Sequence, residues 1–236
     1  MGLAWRAQAI VTMRWLFKTI LTALLVASFS QHANAAEQAI RILAFGDSLT
    51  QGYGVPPGMD FPAKLQTALK AKGLNVTVIN AGVSGDTSAG GLARLDWSLG
   101  DANSAPDAAI VELGANDGLR GLAPAEMEKN LDAILAKLKA RNIAVLLAGM
   151  KAPRNFGADY AVQFDAVFPR LAKKYNVLFY PFFLEGVALD RTLVQADGLH
   201  PNPRGVDVVV KNIMPLAIKL VRQAEMKGAS PVRSAR

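Results

Sequence analysis

Cysteine is absent from this chain and histidine nearly so, with two in 236 residues. Without cysteine there is no disulfide staple, no thiolate nucleophile and no lipid-modified cysteine behind a leader, so stability has to come from burial. Acid is missing from the start: no Asp or Glu precedes Glu37, whereas Arg6, Arg14 and Lys18 do. The formal charge of +7 is therefore uneven, and the 23 basic and 19 acidic groups beyond Lys18 leave +4. No Lys/Arg cluster alternates with aromatics and no nucleic-acid module signature is present, which argues against nucleic-acid binding. An unbroken apolar run of the ~20 residues that cross a bilayer is lacking too. The stretch from Trp15 to Ser30 is interrupted by Lys18.

What stands in that acid-free start is a basic segment, then the apolar stretch, then Ala33-Asn34-Ala35. This is the layout of a secretory signal peptide with a small-residue cleavage site. The reading is removal after Ala35 and export to a bacterial periplasm or beyond, with an uncleaved signal anchor as the alternative. Residues 36–226 then form one domain, since 51% hydrophobic and 19% charged residues suit a single α/β unit. The small, basic tail 227–236 reads as disordered.

Short, nearly all-apolar runs predict strands at Ile40-Phe45, Val76-Asn80, Ala108-Leu113, Ile143-Ala148 and Val177-Tyr180, the pattern of strands buried on both faces of a parallel sheet. Between them, helical spacing predicts Phe61-Lys72, Thr87-Ser98 with Asp86 as N-cap, Pro124-Ala140 and Tyr160-Tyr175. The last of these carries Val162, Phe164, Val167 and Leu171 as its apolar stripe. A final helix runs from Pro203, suited to a first turn, to Met226, with Pro215 as a potential kink. Alternating strands and helices imply right-handed crossovers and a three-layer α/β/α sandwich.

In such a sheet, ligands bind beyond the carboxyl ends of the strands. The loop after the first strand is Gly46-Asp47-Ser48-Leu49, which places a hydroxyl, Ser48, at that edge. Gly, Asp and Ser are also ordinary turn formers, so the rest of the chain has to decide. If His32 leaves with the leader, His200 is the single imidazole, in the turn Asp197-Gly198-Leu199-His200-Pro201-Asn202 after the fifth strand. A carboxylate three residues earlier can hold one ring nitrogen while the other acts as general base. The second and third loops offer donors for a developing oxyanion: Gly82, where the backbone can approach a substrate closely, and the Asn116 side chain. Asp47 and Asp117, next to Ser48 and Asn116, read as scaffold residues. Lys151, Arg154 and Arg120, in the segments 150–157 and 118–121, are expected to wall the pocket beside apolar side chains.

These ordered blocks, Gly46-Asp47-Ser48-Leu49, Gly82, Gly114-Ala115-Asn116-Asp117 and Asp197-Gly198-Leu199-His200, resemble those of the SGNH (GDSL) hydrolases, and within them the secreted bacterial thioesterase I, lysophospholipase L1 and arylesterase group. The resemblance implies a flavodoxin-like five-stranded sheet of order 2-1-3-4-5. It implies a serine esterase with Ser48 as nucleophile, His200 as base and Asp197 as its orienter. It further implies an oxyanion hole from the Ser48 and Gly82 amides and Asn116, with no cofactor and no metal. The expected partner is a small acyl ester, with thioesters, lysophospholipids and transient contact with lipid within reach of the same chemistry; no obligate protein partner is evident.

Three other readings share parts of this pattern. Ser48-Leu49-Thr50-Gln51-Gly52-Tyr53 also fits the phosphate loop of a flavin-binding flavodoxin, which would leave Asp197, His200 and Asn116 without work. A periplasmic O-acyltransferase or carbohydrate acetylesterase would use the same acyl-enzyme. A metal hydrolase would need an all-carboxylate cage that the sequence does not assemble.

Overall fold

The computed structural model describes residues 38–101 and 104–228. Five parallel strands, β1 (Ile40–Gly46), β2 (Val76–Gly82), β3 (Ala108–Glu112), β4 (Ala144–Ala148) and β5 (Leu178–Tyr180), form one sheet in the order β2-β1-β3-β4-β5. The expected fold and strand order are borne out. Seven helices accompany the strands: α1 (Ser48–Gln51), α2 (Phe61–Ala71), α3 (Ser88–Leu99), α4 (Ala115–Leu119), α5 (Pro124–Ala140), α6 (Ala158–Tyr175) and α7 (Pro203–Gly228).

The apolar runs become strands because both faces of the sheet are covered. Ile42, Leu43, Ala44 and Phe45 of β1, and every residue of β3 and β4, are buried. Helix α2 packs on α7, while α5 lies between α3 and α6. Right-handed crossovers put these two groups on opposite faces of the sheet. The chain leaves β1 toward β2 on one side, and β3 leads away on the other, so the crevice between the β1 and β3 loops is the topological switch point. The register brings Gly46, the last residue of β1, level with Gly82 of β2 and Glu112 of β3.

Local chemistry moves several expected boundaries. Thr87 caps α3, its side chain accepting from the Gly90 amide at 3.3 Å. Asp86, expected as that cap, instead pairs with Arg94 at 2.6 Å. The buried stripe of α6 is Phe164, Val167, Phe168, Leu171 and Ala172, and Val162 falls off it, 70% exposed. Pro215 sits inside α7 without dividing it, and the helix continues through Lys227 and Gly228, so the tail does not begin at 227. Residues 229–236 and the segment 1–35 expected as a signal peptide lie outside the described residues. No described helix is long and apolar enough to cross a membrane.

Candidate active site

The end of β1 is built to turn sharply. A Cβ on Gly46 would collide with the Thr50 hydroxyl and with the carboxylate and carbonyl of Glu112, so only glycine fits there. Asp47 then caps the one-turn helix α1, its Oδ1 accepting from the Leu49 amide at 3.0 Å. Ser48 is the first residue of that turn, and its own N–H bonds no described group. The helix closes at Gly52, in the left-handed region at φ +88°, which favours glycine. The segment expected as a loop is thus a single helical turn, and four residues are too few to show a helical period.

His200 Nε2 lies 2.9 Å from Ser48 Oγ, and His200 Nδ1 lies 2.7 Å from Asp197 Oδ2. The structure thus brings together three residues that the sequence separates by 152 and 3 positions. Asp197 Oδ1 accepts from the Leu199 and His200 amides at 2.9 and 3.0 Å. The Leu199 N–H, then the His200 ring and the His200 N–H, hold its carboxyl down at about 2. An anion at that position requires the proton on Nδ1, which leaves Nε2 free to accept from the Ser48 hydroxyl. The Tyr53 ring lies 4.6 Å from the imidazole.

The oxyanion donors are placed partly as expected. Asn116, at the start of α4, sits in the site, but both hydrogens of its amide are engaged, one to Asp47 Oδ2 and one to the Asp86 carbonyl, each at 3.0 Å. Gly82 departs from the expectation. Its N–H donates to Asn80 Oδ1 at 3.0 Å, and a Cβ there would strike the Gln51 backbone. Gly82 is therefore a glycine because α1 packs directly on it. Of the five amides from Gly82 to Asp86, those of Val83, Ser84 and Asp86 are also taken, by Gly46 O, Gln51 Oε1 and Val83 O. The Gly85 N–H alone bonds no described group, on an exposed residue at φ +82°. A second glycine three positions on in the same loop was the signal for it, and spacing could not rank the two.

Beneath the Ser48 turn lies a buried polar cluster. Asp47 is fully buried, which pushes its carboxyl up to about 6 against the lowering effect of Leu49 and Asn116. Glu112, also fully buried, is held well above the ordinary carboxyl range, first by burial and then by the Asp47 charge. Its Oε2 accepts from the Thr50 hydroxyl at 2.7 Å, while its Oε1 bonds no described group. Glu112 falls in a run expected to be a strand buried on both faces, but its bond to the Thr50 hydroxyl across the sheet leaves no trace in the sequence. Asp117 is buried and accepts from the Ser88 hydroxyl and amide at 2.6 and 2.8 Å, tying α4 to the start of α3, as a scaffold residue should.

The two expected pocket walls touch. Phe156 lies so close to Gly121 that a Cβ would strike its ring, and the Phe156 ring packs at a tilt against Tyr160, 5.3 Å between centroids. Arg120 donates to the Gly85 carbonyl at 2.8 Å, and Lys151 lies over the Phe182 ring and 3.9 Å from Glu185. Arg154 stands in a short 3₁₀ turn, Arg154–Phe156, with Phe156 exposed. A cavity of about 360 Å³ lined by Leu135, Lys139, Ile143 and Tyr175 opens at the opposite, amino-terminal edge of the sheet and holds none of these groups.

Residues 44–208, which span all of these elements from β1 into α7, match the family described as GDSL-like Lipase/Acylhydrolase. The chain belongs to this family. Among curated family relatives, Esterase TesA of Pseudomonas aeruginosa is 40% identical over 174 residues, covering 74% of this chain and 86% of that protein. Thioesterase 1/protease 1/lysophospholipase L1 of Escherichia coli is 41% identical over 185 residues, covering 77% and 86%. The crystal structure of AlinE4, an SGNH-hydrolase family esterase, superimposes with a TM-score of 0.67 at 50% identity, covering 78% of this chain and 98% of that one.

Proposed function

We infer that the protein is a carboxylic ester hydrolase that works through an acyl-enzyme on Ser48. The observation that carries this reading is the unbroken line Asp197–His200–Ser48, at 2.7 and 2.9 Å, on the carboxyl edge of the sheet. Ser48 Oγ attacks the ester carbonyl carbon as His200 Nε2 takes its proton, and Asp197 steadies the imidazolium. The tetrahedral oxyanion is received by the unbonded Ser48 and Gly85 amides and by Asn116, which gives up the Asp86 carbonyl or shares a hydrogen with it. His200 then protonates the leaving alkoxide, the C–O bond breaks, and water activated by the same imidazole releases the acid. Family membership and the esterase relatives support the reaction class.

The substrates are short- to medium-chain acyl esters, with thioesters and lysophospholipids accepted. Exposed Val83, Leu119, Leu122 and Phe156 beside the site suit an acyl chain. The names of the relatives point the same way. The acid-free start and Ala33-Asn34-Ala35 support export to the periplasm or beyond.

A fluorophosphonate probe followed by peptide mapping tests the mechanism. Label is expected on Ser48, absent in Ser48→Ala and strongly reduced in His200→Ala. Label on another residue, or activity retained in both variants, overturns it.

A further inference from the structure

The nucleophile and its base sit on segments remote in sequence, and something has to fix the 2.9 Å between them. The base loop is closed within itself. Val194 bridges Pro201, the Asn202 amide donates to Leu193 O at 2.9 Å, and Asn202 Oδ1 accepts from the Arg204 and Gly205 amides at the start of α7. None of these bonds reaches the nucleophile segment. Among the described residues, two polar contacts join residues 191–201 to residues 46–60: the Ser48–His200 bond itself, and one made by Gln195.

Gln195 grips both sides at once. Its side-chain amide donates to Tyr53 O at 2.7 Å, five residues after the nucleophile, and to Pro201 O at 2.9 Å, directly after the base. Its backbone N–H donates to His200 O at 2.8 Å. The fit is close: the Gln195 side-chain oxygen occupies the space that a Cβ on Gly54 would need, and Gly54 sits at φ +71°. Tyr53, whose carbonyl takes the strap, also lays its ring against the imidazole.

We propose that Gln195 is a positioning residue: its side-chain amide straps the Tyr53 carbonyl to the Pro201 carbonyl and so sets the distance between Ser48 Oγ and His200 Nε2. This rests on the reading of Ser48 and His200 as nucleophile and base. The side chain need not touch substrate. Losing it lets the base loop drift while the substrate-contacting loops 82–86 and 116–121 stay in place, so turnover falls and substrate binding does not. A displacement of about 1 Å in such a pair costs on the order of a hundredfold in rate.

The test uses the full enzyme with Gln195→Met, which keeps length and volume without either donor, and Gln195→Glu, whose carboxylate repels both carbonyls. Both are expected to lower kcat by about tenfold to a hundredfold, to slow phosphonylation of Ser48 to a similar degree, and to leave KM within about twofold of wild type. Ser48→Ala and His200→Ala are measured alongside. If those two remain active, the nucleophile–base reading fails. If they are inactive while either Gln195 variant keeps wild-type kcat and phosphonylation rate, the strap alone is refuted. A kcat loss that merely follows a collapse of the melting temperature in both Gln195 variants also refutes it, by making the residue structural.

Discussion

The two aspartates beside Ser48 and His200 have opposite surroundings. Asp47, beside the nucleophile, is fully buried and raised to about 6, whereas Asp197, beside the base, keeps a 36% exposed side chain and is held near 2. Burial penalises the charged form of a carboxyl, and N–H donors aimed at it favour that form. Asp197 has two backbone donors and the imidazole, and water can reach it, so it stays an anion through the pH range in which His200 works. Asp47 has the Leu49 amide and Asn116, with Glu112 among its neighbours in a dry pocket. In the proposed mechanism one aspartate supplies charge to the reaction, and the other supplies shape to the turn that carries Ser48.

The comparison breaks most sharply at Asp197. Asp197→Asn keeps a side-chain oxygen for the Leu199 and His200 amides but puts an NH₂ or a neutral carbonyl against Nδ1, so the imidazole loses its orienting anion. A fall in kcat of about 10⁴-fold is expected, with the fold intact by circular dichroism. Loss of less than tenfold would mean that the anion is not needed. Next in size is the contrast between two glycines of one loop. Gly85→Ala keeps the N–H but strains the backbone at φ +82° and turns that amide off its aim, so a fall in kcat approaching the roughly 10²-fold of a lost oxyanion donor is expected, with a smaller change in melting temperature than at Gly82. Gly82→Ala drives a Cβ into the Gln51 backbone and is expected to lower the melting temperature first. The reverse pattern would restore Gly82 as the oxyanion donor.

Much of this was legible in the sequence. Ile42, Leu43, Ala44 and Phe45 form an apolar run that has only one use, a strand covered on both faces, and the α/β alternation then fixes which edge carries Ser48, Asn116 and His200. Asp197, His200 and Ser48 could be singled out because such residues are rare: one imidazole beyond residue 35 leaves little choice of base for the proposed mechanism. What was not legible depends on contacts across the sheet. Gly82 and Gly85 look alike until the Gln51 backbone is seen hard against the first, and only the Arg120 side chain, at ordinary contact distance, against the second. Val162 has the right spacing for the α6 stripe, but the true stripe is set by Phe164 and Phe168 packing on each other and on α5. Gln195 is an unremarkable polar residue in sequence, because its partners are two backbone carbonyls, which leave no trace in side-chain pattern.

The smallest effect on activity, and the most informative about the dry side of the turn, is expected from Glu112→Gln. Burial and the Asp47 charge raise the Glu112 carboxyl, so its protonated form is the one the fold accommodates. Gln has the same shape and keeps an oxygen for the Thr50 hydroxyl, so kcat near neutral pH should stay within about threefold of wild type. Stability should respond instead. A carboxyl whose folded value lies above its unfolded one binds more protons in the native state, so its contribution is complete below the unfolded value and lost as pH rises through the folded value. For Asp47 that window runs from the ordinary 3.8 to about 6, and for Glu112 it opens near 4.5 and runs upward from there. The wild-type melting temperature should therefore fall as pH rises across this range, by an amount that for Asp47 alone corresponds to no more than about 3 kcal/mol. Glu112→Gln should flatten the upper part of that decline. Asp197 works in the opposite sense, adding stability above 3.8 that is lost as pH falls toward 2, and its exposure keeps that contribution small. Thermal melts of both proteins from pH 4 to 8 check the assignment. Identical slopes would mean that Glu112 carries no bound proton beneath Ser48, and a large loss of kcat in the Gln variant would mean that its charge, and not its shape, supports the nucleophile.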